Sequence, residues 1–161
     1  MPKVDSPNHS ARPHEVKPRV IVLHATGPGS LKGVLEWITS KASKVSYHGL
    51  IASDGTYYSL VSPERAAYHA GVSEWNGIKN INSVSLGLAW MNPNDSKIPL
   101  TPQQIAIAKG VIQYWAQQYP TIEAVTTHAV VAMPKGRKTD PDDVPNFDLA
   151  TYQDAFARAR G

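Results

Sequence analysis

The stretch HAVVAMPKGRKTD, residues 128–140, holds an imidazole, a loop of small and basic residues, then Lys138 and Asp140 two positions apart. A second imidazole, His24, ends the apolar run RVIVLH at 19–24. Two histidines and one carboxylate, with a fourth position left to water, form a known catalytic zinc set. A histidine at a strand end is also commonly a hydrogen-bonded structural residue, and His24 and His128 lie far apart in the chain. Spacing alone leaves both readings open. The chain has no cysteine, so disulfide scaffolds and cysteine-based zinc knuckles are excluded. Any metal site must be built from His, Asp or Glu.

The elements that would position these groups are legible in the patterning. RVIVLH is β-branched and continuously apolar, which suits a strand buried on both faces. The breaker-rich ATGPGS follows, and Ser30 can cap a helix over 31–43, where Leu31, Val34, Leu35 and Ile38 recur at helical spacing. Residues 45–52 alternate like a strand, Asp54-Gly55 signals a turn, and 56–61 return as a second strand. Residues 62–83 read as a long, turn-rich loop. VSLGLAW, 84–90, is another buried strand. The helix over 101–119 opens with Thr101 as cap, Pro102 at its first position and Gln104 at the reciprocal capping position. AVTTH is a short strand ending at His128, and 149–160 form a last helix.

Strands alternating with helices indicate one α/β domain over 19–161, with a mixed central sheet flanked by helices. Its cleft should lie at the strand ends, where ligands collect in open α/β sheets. Residues 1–18 read as a polar arm lying over the domain, with His9 and His14 solvated. They lack the apolar core of a Sec signal, which predicts synthesis in the cytoplasm. No stretch approaches 18 apolar residues, so no membrane span is expected. Trp37, Trp90 and Trp115 are expected in the core. The net charge of +3 and pI of about 9.1 suit contact with an acidic polymer. Nucleic acid is not expected as a partner, because the chain has neither a dense Lys/Arg run nor an aromatic stacking motif.

The pieces IVLHATG, SYHGLIASDGTYYSLV, AAYHAGVSEWNG, NINSVSLGLA and THAVVAMPKGRKTDPD together span roughly residues 19–148. In this order they resemble the type-2 N-acetylmuramoyl-L-alanine amidases, a group that includes short phage endolysins and the peptidoglycan recognition proteins. The resemblance implies one zinc ion on His24, His128 and Asp140, the last standing where many members carry a cysteine. It implies that Lys138 stabilises an oxyanion and that Tyr47 faces the zinc, orienting water or relaying a proton. Adjacent strand residues point to opposite faces, so His48 would then be a buried, satisfied histidine. His69, Trp75, Asn76 and Asn82 are candidates for contacts with sugar and peptide.

Ala89 stands where many members place a general-base glutamate. That departure, the basic pI and the small size point to the endolysin branch. The implied activity is hydrolysis of the amide between N-acetylmuramic acid and L-alanine in peptidoglycan, by a monomer that reaches the wall after release and lyses the cell. Two readings stand beside it: a cytoplasmic amidase that recycles soluble wall fragments, and a non-catalytic peptidoglycan-binding domain. The complete ligand set counts against the second.

Overall fold

The main sheet takes its first strand in chain order from the continuously apolar run RVIVLH. In the computed structural model, which describes residues 2–161, a short β1 (His9–Ala11) precedes β2 (Val20–Ala25), whose six residues are all buried. Helix α1 (Leu31–Thr39) starts where the Ser30 hydroxyl accepts a hydrogen bond from the Gly33 amide. β3 (Gly49–Ile51) and β4 (Tyr57–Ser59) form a hairpin around Asp54-Gly55. The stretch 62–83, expected as a loop, contains β5 (Arg65–Ala67), β6 (Glu74–Trp75) and β7 (Ile78–Lys79). Each has two or three residues, too few for a period of two to register. β8 (Ser85–Trp90) and α2 (Pro102–Gln118) come next, and Thr101 and Gln104 cap α2 reciprocally as the sequence predicts. β9 (Ala124–Thr127), the single-turn α3 (His128–Val131) and α4 (Leu149–Ala159) complete the chain.

The main sheet has the order β4-β3-β8-β2-β9. Only the β3–β4 pair is antiparallel; the other pairs are parallel. The domain is therefore the mixed, helix-flanked sheet that the alternation of elements predicts. Ile21, Leu23 and Ala25 of β2 and Leu86, Leu88 and Trp90 of β8 face α2 and α4 in the main core. The Trp90 indole is fully buried and donates to the Gln104 carbonyl at 3.1 Å. Side chains alternate along a strand, so Val20, Val22 and His24 point to the other face, as do Ser85, Gly87 and Ala89. That second face is covered by α1 and by the short strands.

Several local expectations change. The strand expected over 45–52 is regular only at Gly49–Ile51, because the Ser46 amide pairs with the Tyr68 carbonyl instead of the sheet. His128 heads α3 instead of ending a strand: the Thr127 hydroxyl accepts from the Val130 amide and turns the chain into a helix. Trp115 and Trp90 are core residues, but Trp37 is 48% exposed, since α1 buries only Val34 and Ile38.

The first residues are stitched to the domain. β1 pairs with β5, and residues 2–6 run beside β4, with the Val4 amide on the Ser59 carbonyl at 3.0 Å. Arg12 is buried and donates to the carbonyls of Pro63, Asn82, Ser83 and Ser85. Burial lowers its pKa to about 10 against the opposing pull of Glu64. His14 is exposed as expected. His9 is not free in solvent: its Nδ1 accepts from Arg65 Nε at 3.0 Å.

Candidate active site

β2 and β9 are parallel neighbours with Leu23 opposite Thr127. The next residue on each side is therefore delivered to the same end of the sheet, and those residues are His24 and His128. Asp140 arrives from the loop after α3. Its Oδ2 accepts from the Ala25 amide at 3.2 Å, and its carbonyl accepts from the Ala129 amide at 3.0 Å. The loop is thus tied to both histidine-bearing segments. One ligand atom from each of His24, His128 and Asp140 lies within 4.8 Å of the others. His128 Nδ1 is 3.1 Å from Asp140 Oδ1, and His24 Nδ1 is 3.4 Å from Asp140 Oδ2.

The donor inventory of this cluster fits a cation. His128 Nε2 lies 3.1 Å from the Ala70 carbonyl, which can only accept. A neutral imidazole has one N–H. With that proton on Nε2, the Nδ1 lone pair faces a carboxylate, an arrangement that a bound cation resolves. His24 Nε2 is 2.9 Å from His69 Nδ1, and His69 Nε2 is 2.8 Å from Ser85 Oγ. When His24 donates to His69 and His69 to Ser85, His24 Nδ1 is also left free as a lone pair. Metal-binding histidines are commonly oriented through their other nitrogen in this way. His69 can lie this close because position 87 is glycine: a Cβ there would stand 2.6 Å from the His69 ring.

The electrostatics agree. Burial lowers the His24 pKa to about 4, with the neighbouring His128 acting in the same direction, and keeps the imidazole neutral. Burial pushes the Asp140 carboxyl up, but the flanking His128 and His24 outweigh it and hold the group ionised, well below the usual carboxylate range. Burial, aided by the Asp140 charge, raises the Tyr47 phenol well above its ordinary value, so it remains protonated at neutral pH.

These groups open into a cleft of about 460 Å³ whose lining includes Tyr47, His69, Asn82, His128, Lys138 and Asp140. The Tyr47 and His24 rings are 5.1 Å apart. Asn82 holds the cleft wall through its Oδ1, which accepts from the amides of His69 and Ala70. Trp75 and Asn76 are not brought to the cleft. Trp75 packs on the Val20–Val22 cluster under the Arg19 guanidinium, and Asn76 occupies the exposed turn between β6 and β7 in a left-handed conformation. Trp37, Lys44, Tyr68 and Arg137 do line the cleft, and nothing in the sequence singles them out. The loop composition that masks β5 also masks Tyr68, and Trp37, which lies just off the stripe of Leu31, Val34, Leu35 and Ile38, is expected in the core for its ring alone.

His48 points away from the cleft. Its Nδ1 accepts from the Gly87 amide at 3.0 Å, and its Nε2 donates to the Arg65 carbonyl at 2.8 Å. Burial lowers its pKa from 6.5 to about 3, with Arg12 and His9 assisting. Between those values the unfolded chain binds the proton that the fold refuses. The stability His48 contributes is therefore fully present above pH 6.5 and is lost as pH falls toward 3, by at most about 1.4 kcal/mol per unit. Thermal melts from pH 7 to 4 should show a shallower decline for His48→Gln than for the wild type. Equal slopes would remove His48 as the titrating group.

Comparison with known proteins places this geometry. The family described as N-acetylmuramoyl-L-alanine amidase matches residues 14–143. The 1,6-anhydro-N-acetylmuramyl-L-alanine amidase AmpD of Salmonella typhimurium is 30% identical over 94% of this chain and 87% of its own length. A crystal structure of an AmpD derivative superposes with a TM-score of 0.81 at 28% identity, covering 96% of this chain and 93% of that one. The Escherichia coli amidase AmiD, in complex with anhydro-N-acetylmuramic acid-L-Ala-D-γ-Glu-L-Lys, gives 0.67 at 26% identity over 80% of this chain and 55% of that one. An endolysin amidase of Clostridium intestinale gives 0.63 at 19% identity, covering 98% of this chain and 95% of that one, a likeness of fold alone.

Proposed function

The chain belongs to the N-acetylmuramoyl-L-alanine amidase family, and from that premise we propose that its substrates are soluble wall fragments, cut between N-acetylmuramic acid and L-alanine. The observation that carries this is the nearly full-length similarity to AmpD enzymes, whose name specifies a 1,6-anhydro-N-acetylmuramyl substrate. The Clostridium intestinale endolysin amidase, by contrast, shares the fold alone. Under the proposed reading, the enzyme meets its substrate in the cytoplasm as free muropeptide.

The cofactor is zinc, and His24, His128 and Asp140 would hold it. When bound, zinc acts as a Lewis acid and lowers the pKa of a coordinated water to about 7. The remaining work falls to the cleft. Lys138 places a cation two residues from Asp140, where it can stabilise the developing oxyanion. Tyr47, kept protonated, donates a hydrogen bond that orients the attacking oxygen or the substrate carbonyl. His69 fixes the His24 ring, and Ala70 and Asn82 fix the wall around His128.

The test is the rate on soluble anhydromuropeptide against the rate on intact sacculi, with mass spectrometry to identify the bond cut. Faster release from the soluble compound is expected. Faster solubilisation of sacculi would return the protein to the lytic reading. In the same assay Lys138→Ala should keep zinc and lose about 10²–10³ in turnover, the scale for one oxyanion donor. Unchanged turnover would make Lys138 a solvated loop charge.

A further inference from the structure

His24 and His128 come from different elements, yet their outer nitrogens end on neighbouring residues. His24 Nε2 meets His69 Nδ1 at 2.9 Å, and His128 Nε2 meets the Ala70 carbonyl at 3.1 Å. The same carbonyl accepts from Arg137 Nη2 at 3.0 Å, so both of its lone pairs are taken. Arg137 adjoins Lys138 in the loop that ends at Asp140. The dipeptide His69–Ala70 is therefore a common support for both histidines and for that loop.

The dipeptide lies beyond the end of β5, so no strand supplies partners for its two amides. Both residues are buried, and a buried amide without a partner is costly. One atom serves both: Asn82 Oδ1 accepts from the His69 amide at 3.2 Å and from the Ala70 amide at 2.9 Å. Ser85 Oγ takes the far nitrogen of the His69 ring at 2.8 Å. Asn82 belongs to a short 3-10 turn, Ile81–Val84, that Ser85 follows. Behind the turn, the buried Arg12 guanidinium donates to the carbonyls of Asn82, Ser83 and Ser85 at 3.2, 2.9 and 2.9 Å. Residues 82–85 thus give their carbonyls to Arg12 and two of their side chains to the dipeptide.

We propose that Asn82 is a positioning residue for the metal: by holding the His69–Ala70 dipeptide it orients His24 and His128 together, and Ser85 steadies the His24 branch. The proposal rests on the ligand assignment above. It gives Asn82 a different role from the substrate contact that the sequence suggests, because the fold already uses both lone pairs of its amide oxygen. Loss of Asn82 loosens two ligands at once, whereas loss of Ser85 loosens one.

The experiment measures zinc affinity by competition with a chelator, beside the melting temperature of the metal-free protein. Kinetics at saturating zinc on anhydro-N-acetylmuramic acid-L-Ala-D-γ-Glu-L-Lys complete it. Asn82→Ala should weaken zinc binding about 10- to 100-fold, the range for partners that orient metal ligands. Ser85→Ala should weaken it less. Asn82→Asp keeps an oxygen facing both amides and should restore most of the affinity. The double variant Asn82→Ala/Ser85→Ala should bind zinc no more weakly than Asn82→Ala, since both residues act on one support. KM at saturating zinc should stay near the wild-type value in every variant. Should Asn82→Ala not fold, Asn82→Ser, with a shorter side chain, carries the same expectation. Wild-type zinc affinity in the alanine variant overturns the proposal, and with a raised KM it makes Asn82 a substrate contact. An affinity that Asn82→Asp does not restore, or multiplicative losses in the double variant, also overturn it. A wild type that binds no zinc overturns the ligand assignment instead, and is told apart by that result.

Discussion

His128→Ala is expected to bind no zinc and to hydrolyse muropeptide no faster than background. Three protein ligands with one open position make a catalytic zinc site, and removing one of three leaves too few to retain the ion. A readout free of activity comes from mass action, since a ligand that binds only the folded state stabilises it. Wild-type protein should melt at a higher temperature with added zinc and at a lower one after chelation, whereas His128→Ala should melt at one temperature throughout. Metal content by elemental analysis completes the comparison. Full zinc occupancy in the variant would take His128 out of the ligand set.

Tyr47→Phe should lower turnover by about 10²–10⁴, the range for one positioned proton-handling group, while leaving zinc content and melting temperature near the wild-type values. The ring stays, so its packing beside Val34, Ile38 and Ala89 is preserved. What disappears is a hydroxyl in the cleft, on a ring 5.1 Å from that of His24. The phenol is held protonated by burial and by Asp140, so the lost function is a donated hydrogen bond. Position 89 offers no substitute: Ala89 pairs with His24 in register and is fully buried, with only a methyl group to present. A wild-type rate in Tyr47→Phe would reduce the residue to packing.

The sequence makes β2, β8, α2 and α4 legible because each has a strong signal: continuous β-branched runs for the strands, a capping box for α2, an amphipathic tail for α4. It makes the chemistry of His24, His128 and Asp140 legible as a set of residue types. Their convergence is not readable from spacing, because it depends on β2 and β9 being parallel neighbours although α1, α2 and most of the sheet lie between them in the chain. The short strands escape for lack of length. Asn8 and Arg12 escape for a different reason: polar residues in a proline-bearing leader look solvated, and only the fold shows that backbone carbonyls surround them. Trp75 misleads because an aromatic in a polar loop suggests a ligand platform, and here a cluster beneath β6 and β7 takes the ring.

The strip formed by residues 2–6 also has a meaning unrelated to catalysis. β4 is the outermost strand of the sheet, and Val4 and Ser6 donate to the carbonyls of Ser59 and Leu60 while Ser59 donates to Pro2. An outer strand left bare is a template on which other chains can add, and natural sheets blunt it with proline, charge or a covering segment. This chain uses all three in one stretch, PKVDS. The segment thus covers an edge that would otherwise template aggregation, and a chain trimmed to residue 14, where the family match begins, should lose solubility while its zinc content stays near that of the full chain.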